Sequence, residues 1–292
     1  MRTLAPAKLN LCLFLGPRRE DGLHELCSLF EPLALADAIE VSERRAGDAD
    51  EVVCPDVPGD ASDNLAARAL AALRERGWEA PPLRIEIEKR IPVAAGLGGG
   101  SADAAAVLRL AAARGASVTD SGTNAPGDSV GPAGLDLADL AISLGADVPS
   151  QLDPALSLVQ GAGERVERLP DPAPHAVVLL PAGGGLSTAA VFAEADRLGL
   201  GRTAAELDRL AARLRDAAGD GVSPLDYAGL LENDLEPAAR SLRPDVGEAL
   251  DALRAAGAPL ALLTGSGPTT VGLVPSLPDA ARAALALDRG DA

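Results

Sequence analysis

The sequence predicts an α+β fold, in which strands and helices mix without strict alternation. The clearest strand, Leu83 to Glu88, alternates apolar and charged side chains as half-buried strands do. The clearest helix follows it, an Ala- and Leu-rich segment from Ala102 to Ala113. A glycine-dense loop joins the two, and no internal repeat is visible in the rest of the sequence. A doubly wound sheet with regular alternation is therefore not expected.

The first half of the chain carries the signals of three strands and three helices. Residues 1–16 predict a strand, and Asp21-Gly22 predicts the turn that follows it. A second strand is predicted over 29–41, with a break near Asp37. Apolar residues at helical spacing run from Asn64 to Arg76 and stop at Gly77. The other predicted elements are the strand at 83–88, the helix at 102–113 and a short helix at 135–144.

The second half mixes short strands with helices in the same way. Between 115 and 134 the residues Ser, Gly, Pro, Asp and Thr predominate, which predicts a flexible surface loop with no packing role. A turn and a strand are predicted over 161–169. The remaining predicted elements are strands at 175–180, 260–263 and 269–274, helices at 186–198, 203–218, 243–256 and 278–286, and a weaker helix at 223–231.

The composition describes an acidic protein with few aromatic residues. Of 292 residues, 47% are hydrophobic but only 2% are aromatic, so Ala, Leu and Val must fill the core. This length allows one large domain or two packed ones. The net charge of −17 argues against nucleic acid and against an anionic membrane surface as partners, because both attract a basic face. We therefore expect a diffusible small-molecule substrate.

Cysteine usage and the absence of targeting signals indicate the compartment. Cys12, Cys27 and Cys54 show neither metal-ligand spacing nor a disulfide framework. The N-terminus has no apolar signal core, and no apolar run reaches the ~18 residues that a membrane span needs. The sequence therefore predicts a cytoplasmic protein that does not enter a membrane.

The loop Gly96-Leu97-Gly98-Gly99-Gly100-Ser101 has the properties that phosphate binding requires. Glycines let backbone amides approach an anion closely, and the first helical turn adds donors and a positive dipole end. Ser101 is predicted to cap the helix. The loop lacks the Gly-Lys-Ser/Thr ending of a P-loop, and it lies too far into the chain for an N-terminal Rossmann unit. Phosphate binding is favoured, and a plain structural turn is the alternative.

Only two lysines, Lys8 and Lys89, occur among 26 basic residues. Where arginine is the default cation, a lysine indicates a position at which a compact ammonium is needed, at a phosphate or a hydroxyl. The alternative is that a lysine remains at such a position by chance and has no special role. Lys8 is therefore a candidate functional residue.

Three widely separated segments, 5–11, 92–102 and 263–268, together resemble the GHMP kinase superfamily. Further matches lie at 19–26, 63–65, 144–149, 161–164 and 233–237, so the resemblance spans nearly the whole chain in the expected order. The segments at 19–26 and 144–149 point, within the superfamily, to the kinases that phosphorylate a cytidine diphosphate-linked polyol in non-mevalonate isoprenoid synthesis.

The resemblance implies a two-lobed GHMP kinase fold. The N-terminal lobe, over residues 1–155, is expected to be ribosomal-protein-S5-domain-2-like, and the C-terminal lobe, over 156–292, ferredoxin-like α/β. The implied reaction transfers the γ-phosphate of ATP, with Mg²⁺, to the 2-hydroxyl of the polyol, in a monomer or weak homodimer. The implied ATP-binding residues are Asn64, Leu65, Pro92, Val93, Ala94, Ala95, Gly96, Leu97, Gly98, Gly99, Gly100, Ser101, Ala102 and Asp103.

Lys8 and Asp147 are the catalytic residues that the resemblance implies. Lys8 would polarise the substrate hydroxyl, and Asp147 would accept its proton. A lysine beside an aspartate keeps the carboxyl ionised and stabilises a developing alkoxide. The alternatives are a solvated strand-edge charge for Lys8 and a cap or turn residue for Asp147.

The implied substrate-binding residues come from four segments. Asn10 would contact the polyol hydroxyls, His24 would hydrogen-bond the cytosine, and Phe192 would stack on it. The alternatives are a surface-turn histidine, a core phenylalanine and, for Asn64, a helix cap. The complete set is Asn10, His24, Thr188, Phe192, Gly265, Ser266 and Gly267.

Two departures from the family pattern concern the base pocket. Leu23 stands where a tyrosine is usual, and Ser150-Gln151 follow Asp147-Val148-Pro149 where a phenylalanine is common. For Mg²⁺ the sequence offers Ser101 and no identified carboxylate. The rival functions are another GHMP kinase acting on mevalonate, homoserine or a sugar, a nucleotide-binding protein without catalysis, and an interaction module.

Overall fold

The computed structural model describes residues 1–55, 57, 63–116 and 135–290. Its contacts divide the chain into two compact units, each assembled from several segments. The first unit comprises Met1–Ala7, Leu33–Val93 and Gly98–Pro154, and the second comprises Lys8–Pro32, Ala94–Leu97 and Ala155–Ala292. Strands β1 (Arg2–Arg18) and β2 (His24–Glu43) each contribute residues to both units.

In the first unit, helices pack beside a small sheet. Strand β3 (Glu51–Val53) pairs in parallel with β4 (Leu83–Glu88), which pairs antiparallel with residues 38–43 of β2. Helix α1 (Leu65–Glu75) packs on α2 (Gly99–Ala116) and α3 (Leu137–Leu144), and a 3-10 turn follows at Pro149–Gln151. Alternation on β4 buries Leu83, Ile85 and Ile87 in a core of mostly Ala, Leu, Ile and Val, as the sequence predicts.

The second unit contains two groups of strands. Residues 26–30 of β2 pair with β5 (Ser157–Gly161), which pairs with β6 (Arg165–Arg168). The other sheet has the antiparallel order β7 (Ala176–Leu180), β9 (Thr270–Val274), β8 (Leu260–Leu263). The helices are α4 (Thr188–Leu198), α5 (Ala204–Ala218), α6 (Glu236–Leu242), α7 (Asp245–Ala255) and α8 (Leu277–Arg289), with a 3-10 segment at Pro224–Leu230.

Side-chain caps set where several helices begin. Asn64, Asp136 and Ser187 each accept a backbone amide from the first turn of α1, α3 and α4. Thr203 and Glu206 form a capping box at α5, in which each side chain accepts from the other residue's backbone. Helix α4 ends at Gly199, whose positive φ of 70° suits glycine.

The structure corrects several local predictions. The break predicted near Asp37 is wrong, because β2 runs through it and its carboxylate is satisfied by backbone amides. Ser101 does not cap α2, which begins earlier, at Gly99. Strands β3 and β5 and helix α6 were not expected, and α2 takes in the first two residues of the predicted loop at 115–134. The rest of that loop lies outside the described residues.

Within the described ranges, no helix is long and apolar enough to cross a membrane.

Candidate active site

The glycine loop runs into the first turn of α2, an 18-residue helix. Three loop residues have positive φ, Ala94 (57°), Gly96 (74°) and Gly98 (69°). The first intrahelical bond of α2 runs from the Ala102 amide to the Gly98 carbonyl, at 2.8 Å. The amides before Ala102 therefore lack intrahelical acceptors, and they lie at the positive end of the helix dipole. This end of α2 can bind an anion such as a phosphate.

At two positions of the loop, close packing explains why the residue is a glycine. A Cβ added to Gly96 would lie 3.2 Å from the Gly267 carbonyl oxygen, so the loop lies close to the turn at 264–268 within the second unit. A Cβ added to Gly99 would lie 3.2 Å from Lys89 Nζ, within the first unit. Glycine at these positions thus allows close backbone approach, in addition to any anion binding.

Asn64 and Leu65 lie at the start of α1. Asn64 Oδ1 accepts the Ala66 amide at 2.8 Å, so Asn64 is a helix cap, the alternative that the sequence left open. Leu65 Cδ1 lies 3.5 Å from the position that a Cβ on Gly100 would take. The beginnings of α1 and α2 are therefore neighbours in the first unit, which is compatible with a common nucleotide site.

Lys8 is buried on β1, with 4% of its surface exposed. Its Nζ donates to Asn10 Oδ1 at 2.7 Å and lies 4.5 Å from the centroid of the Phe30 ring. Its backbone amide donates to the carbonyl of Leu97 in the glycine loop, at 2.9 Å. A solvated strand-edge charge is therefore excluded, and the ammonium lies in the second unit beside another predicted site residue.

Hydrogen bonds hold both ends of the Asn10 side-chain amide. Its Oδ1 accepts from Lys8, and its Nδ2 donates to Ser28 Oγ at 2.9 Å. Ser28 Oγ in turn donates to the Cys12 carbonyl. The Asn10 amide donates to Thr264 Oγ1 at 2.9 Å. This network joins the Lys8 strand to the start of the 264–268 turn.

The turn at 264–268 is positioned by an asparagine to which the sequence assigned no role. Asn233 Nδ2 donates to the carbonyls of Leu263 and Gly265, both at 2.8 Å, and its Oδ1 accepts the Leu235 amide. Gly265 and Gly267 have positive φ of 57° and 82°. Ser266 Oγ lies 2.9 Å from Thr188 Oγ1, so two predicted substrate residues are in contact.

If the 264–268 turn binds the acceptor substrate, as the family resemblance implies, replacing Asn233 with alanine should weaken acceptor binding more than it weakens the fold. The variant loses both bonds to the turn and leaves buried carbonyls unpaired, which should lower the free energy of unfolding by about 1–3 kcal/mol. Because the turn loses its support, the KM of the acceptor substrate should rise while the KM of ATP changes little. Steady-state kinetics and thermal unfolding measure the two effects.

Ser276→Ala is the matched control for Asn233→Ala. Ser276 caps α8 in the same unit, and its loss should cost about 1 kcal/mol. It does not contact the 264–268 turn, so the acceptor KM should not move. An equal rise in KM for both variants would mean that instability alone explains the Asn233 effect.

His24 and Phe192 form an aromatic contact in the second unit. Their ring centroids are 5.6 Å apart. His24 Nδ1 lies 3.2 Å from the Gly16 carbonyl oxygen and Nε2 lies 3.3 Å from Asp196 Oδ1. Because a carbonyl can only accept, Nδ1 carries a proton. The His24 side chain is 8% exposed, which excludes a surface-turn histidine, whereas Leu23 is 54% exposed.

Asp147 is half-buried in the first unit, in the turn between α3 and the 3-10 turn at Pro149–Gln151. Its carbonyl accepts from Ser150 Oγ at 2.9 Å. Ser150 and Gln151 are themselves buried, and the Gln151 carbonyl accepts from Arg109. Ser150 and Gln151, which depart from the family pattern, therefore each make a hydrogen bond within the first unit.

Asp103 is buried and faces Lys89, with Nζ donating to its Oδ2 at 2.8 Å. Burial raises the pKa of this carboxyl to about 7, against the attraction of the Lys89 ammonium. Within the described part of the chain, no group of three or more His, Cys, Asp or Glu side chains could hold a metal ion.

Comparisons with known proteins cover both units. The family model of the GHMP kinases N-terminal domain matches residues 64–152, and that of the GHMP kinases C-terminal domain matches 212–291. A 4-diphosphocytidyl-2-C-methyl-D-erythritol kinase of Streptomyces avermitilis is 42% identical over 279 residues, 91% of this chain and 84% of that protein. The Thermobifida fusca kinase of the same name is 41% identical over 97% of this chain and 89% of its own length.

A solved structure agrees with these sequences. The crystal structure of a 4-(cytidine 5'-diphospho)-2C-methyl-D-erythritol kinase matches with a TM-score of 0.77 and 35% identity. The match covers 99% of this chain and 96% of that one. The predicted α+β, two-part kinase fold is therefore confirmed.

Proposed function

We propose that this chain, which belongs to the GHMP kinase family, transfers the γ-phosphate of ATP to the 2-hydroxyl of 4-diphosphocytidyl-2-C-methyl-D-erythritol. The observation that carries the proposal is the 42% identity to a kinase of that name over 91% of the chain. Members of this family are ATP-dependent phosphotransferases, so the open question is the acceptor. The product would be the 2-phosphate and ADP, within the non-mevalonate route to isoprenoids.

ATP would bind through the loop from Pro92 to Asp103, with Asn64 and Leu65 near the adenine. Support comes from the open amides of α2 and from the positive φ values of the loop. Mg²⁺ would be bound by the ATP phosphates, with the Ser101 hydroxyl as the protein ligand in the first turn of α2. When bound, the ion would neutralise charge on the transferring phosphoryl group.

Lys8 and Asp147 would act on the acceptor hydroxyl. The name of the acceptor makes its 2-hydroxyl a tertiary alcohol, which is crowded and gives up its proton reluctantly. Asp147 would accept that proton as the bond to phosphorus forms, and the Lys8 ammonium would stabilise the alkoxide character of the oxygen. The bond from Lys8 Nζ to Asn10 supports this role, because it fixes the direction in which the remaining protons of the ammonium point.

The base of the acceptor would bind at His24 and Phe192, and its polyol at Asn10, Thr188 and the turn from Gly265 to Gly267. The contact between the two rings and the contact between Thr188 and Ser266 support this grouping. Leu23 is exposed and stands where the family resemblance implies a tyrosine, so Phe192 would be the main stacking partner.

Phe192→Ala should therefore raise the KM of the acceptor strongly. Stacking of one base on an aromatic ring is worth about 1–3 kcal/mol, which corresponds to a rise of about 5- to 150-fold. We expect kcat and the KM of ATP to remain close to those of the parent protein. Phe192→Tyr is the control, because it keeps the ring and should retain most of the affinity. If Phe192→Ala left the acceptor KM unchanged, the base would bind elsewhere.

A substrate panel tests the proposed function. ADP release by the purified protein, with ATP and Mg²⁺, is measured with the cytidine diphosphate substrate and in parallel with mevalonate, homoserine and galactose. Selective turnover of the first is expected. Selective turnover of another compound would keep the kinase chemistry and contradict the acceptor, whereas no turnover with any would favour a nucleotide-binding protein without catalysis.

Three further expectations belong to the same proposal. The functional domains would be residues 1–155 and 156–292. A cytoplasmic location is supported by the sequence, in which Cys12, Cys27 and Cys54 show neither metal-ligand spacing nor a disulfide framework. A monomer or weak homodimer remains the expected assembly.

A further inference from the structure

Lys89, the second of the two lysines, lies where the glycine loop begins. It follows β4 directly and precedes Arg90, Ile91 and Pro92. Its side chain is 8% exposed, which is unusual for a lysine. A buried ammonium requires compensating charge or hydrogen bonds.

Two buried carboxylates supply that compensation from different elements. Lys89 Nζ donates to Asp37 Oδ2 on β2 and to Asp103 Oδ2 on α2. The Asp37 side chain is 0% exposed and that of Asp103 is 3% exposed. A single ammonium therefore connects β2, the end of β4 and the second turn of α2, all within the first unit.

The same cluster fixes the backbone that enters the loop. Asp37 Oδ1 accepts the amide of Arg90 at 2.6 Å and that of Ile91 at 2.9 Å. On the other side of the loop, Gly99 packs so closely on Lys89 Nζ and Ile91 Cγ2 that a Cβ would lie 3.2 Å and 3.1 Å from them. Both ends of the loop therefore depend on Lys89 and its partners.

We propose that Lys89 is a positioning residue for ATP binding, which fixes the two ends of the glycine loop through Asp37 and Asp103. Lys89 Nζ donates to both carboxylates, so the ammonium would act on the nucleotide through the backbone that these carboxylates and Gly99 hold in place. Asp103, within the predicted ATP-binding segment, would act through Lys89 in the same way. Position 99 would require glycine because Lys89 Nζ occupies the space that a Cβ would need.

The close contact with Gly99 also explains the residue type. An arginine would place a larger planar fork where the Nζ atom now lies against the helix backbone. Keeping the positive charge is therefore not enough to keep the packing at Gly99. We expect Lys89→Arg, which keeps the charge, to impair ATP binding as Lys89→Met does, which removes it.

The test is ATP affinity in variants of the cluster, measured by calorimetry without acceptor and by steady-state kinetics with it. Asp103→Asn keeps the shape and the bond between Lys89 and Asp37. We expect Asp103→Asn, Lys89→Met and Lys89→Arg each to weaken ATP binding by about 10-fold or more, as is typical when the support of a binding group is removed. The KM of the acceptor should change little, and kcat at saturating ATP should be largely retained.

Asp50→Asn is the matched control, because Asp50 performs the same structural task at the opposite end of β4. Its carboxylate accepts from Arg74 at 2.8 Å and from the Leu83 amide at 2.8 Å, far in sequence from the loop. A comparable loss of stability with unchanged ATP affinity is expected. An equal loss of ATP affinity in Asp50→Asn would overturn the positioning role in favour of general destabilisation.

Because this role rests on the ATP-dependent function proposed above, the two must be separable. Phosphorylation of a different acceptor, or of none, by a parent protein that still binds ATP would contradict only the proposed function. ATP binding by folded Asp103→Asn equal to that of the parent would overturn the positioning role, and this variant decides the matter if Lys89→Met does not fold. A parent that fails to bind ATP would contradict both.

Discussion

Lys8→Met should lower kcat by about 10³-fold, the cost of removing a donor that stabilises developing negative charge. Methionine fills a similar volume against the Phe30 ring and removes the ammonium. The effect should fall on kcat, because the ammonium is needed most when the hydroxyl oxygen begins to carry charge. Steady-state kinetics with the cytidine diphosphate substrate measures it.

Calorimetry with ATP supplies the control for Lys8→Met. The variant should bind ATP as the parent does, since it keeps the bond from the residue 8 backbone amide to the Leu97 carbonyl of the glycine loop. A kcat equal to that of the parent would show that Lys8 is a structural partner of Asn10. Loss of ATP binding together with kcat would point to a wider disturbance of the loop.

Asp147→Asn should lower kcat by about 10²- to 10⁴-fold, because an amide cannot accept the proton that the alcohol loses. The substitution keeps the size of the side chain and leaves the bond between the Asp147 carbonyl and Ser150 in place. Asp139→Asn is the control, as Asp139 lies exposed in the first turn of α3. Full turnover by Asp147→Asn would remove this residue from the mechanism.

The double variant tests whether the two residues serve one step. Residues that act as a unit are strongly non-additive, so Lys8→Met with Asp147→Asn should be scarcely slower than the slower single variant. If the two effects multiplied fully, Lys8 and Asp147 would contribute to independent steps. Single-turnover measurements separate this outcome from a change in product release.

Local patterns predicted the elements that depend on neighbours in sequence. The alternation over 83–88 predicted β4 at those bounds, and Gly77, predicted to stop the first helix, lies two residues after the end of α1. Helix α6 was not predicted; it is short, with seven residues, and no side chain caps its first turn. Its stability comes from packing on α4 and α7, which no local pattern contains.

The buried charged residues show more clearly what the sequence could not predict. Asp37 within an apolar strand predicted a break, since a lone carboxylate in a sheet core is costly. Its partners Lys89, Arg90 and Ile91 lie about fifty residues away in sequence. A rare lysine and an aspartate inside a strand were the available signals for this cluster. The substrate and ATP residues implied by the family remain predictions, although several of them contact each other.

The central claim is transfer of the γ-phosphate from ATP to the 2-hydroxyl, and the product tests it most directly. We would record the ³¹P NMR spectrum and the mass of the product formed from ATP, Mg²⁺ and 4-diphosphocytidyl-2-C-methyl-D-erythritol. The account predicts one new phosphomonoester on the C2 oxygen, an intact diphosphate and ADP in equal amount. Inorganic phosphate as the main product, or a phosphoester on another hydroxyl, would contradict it.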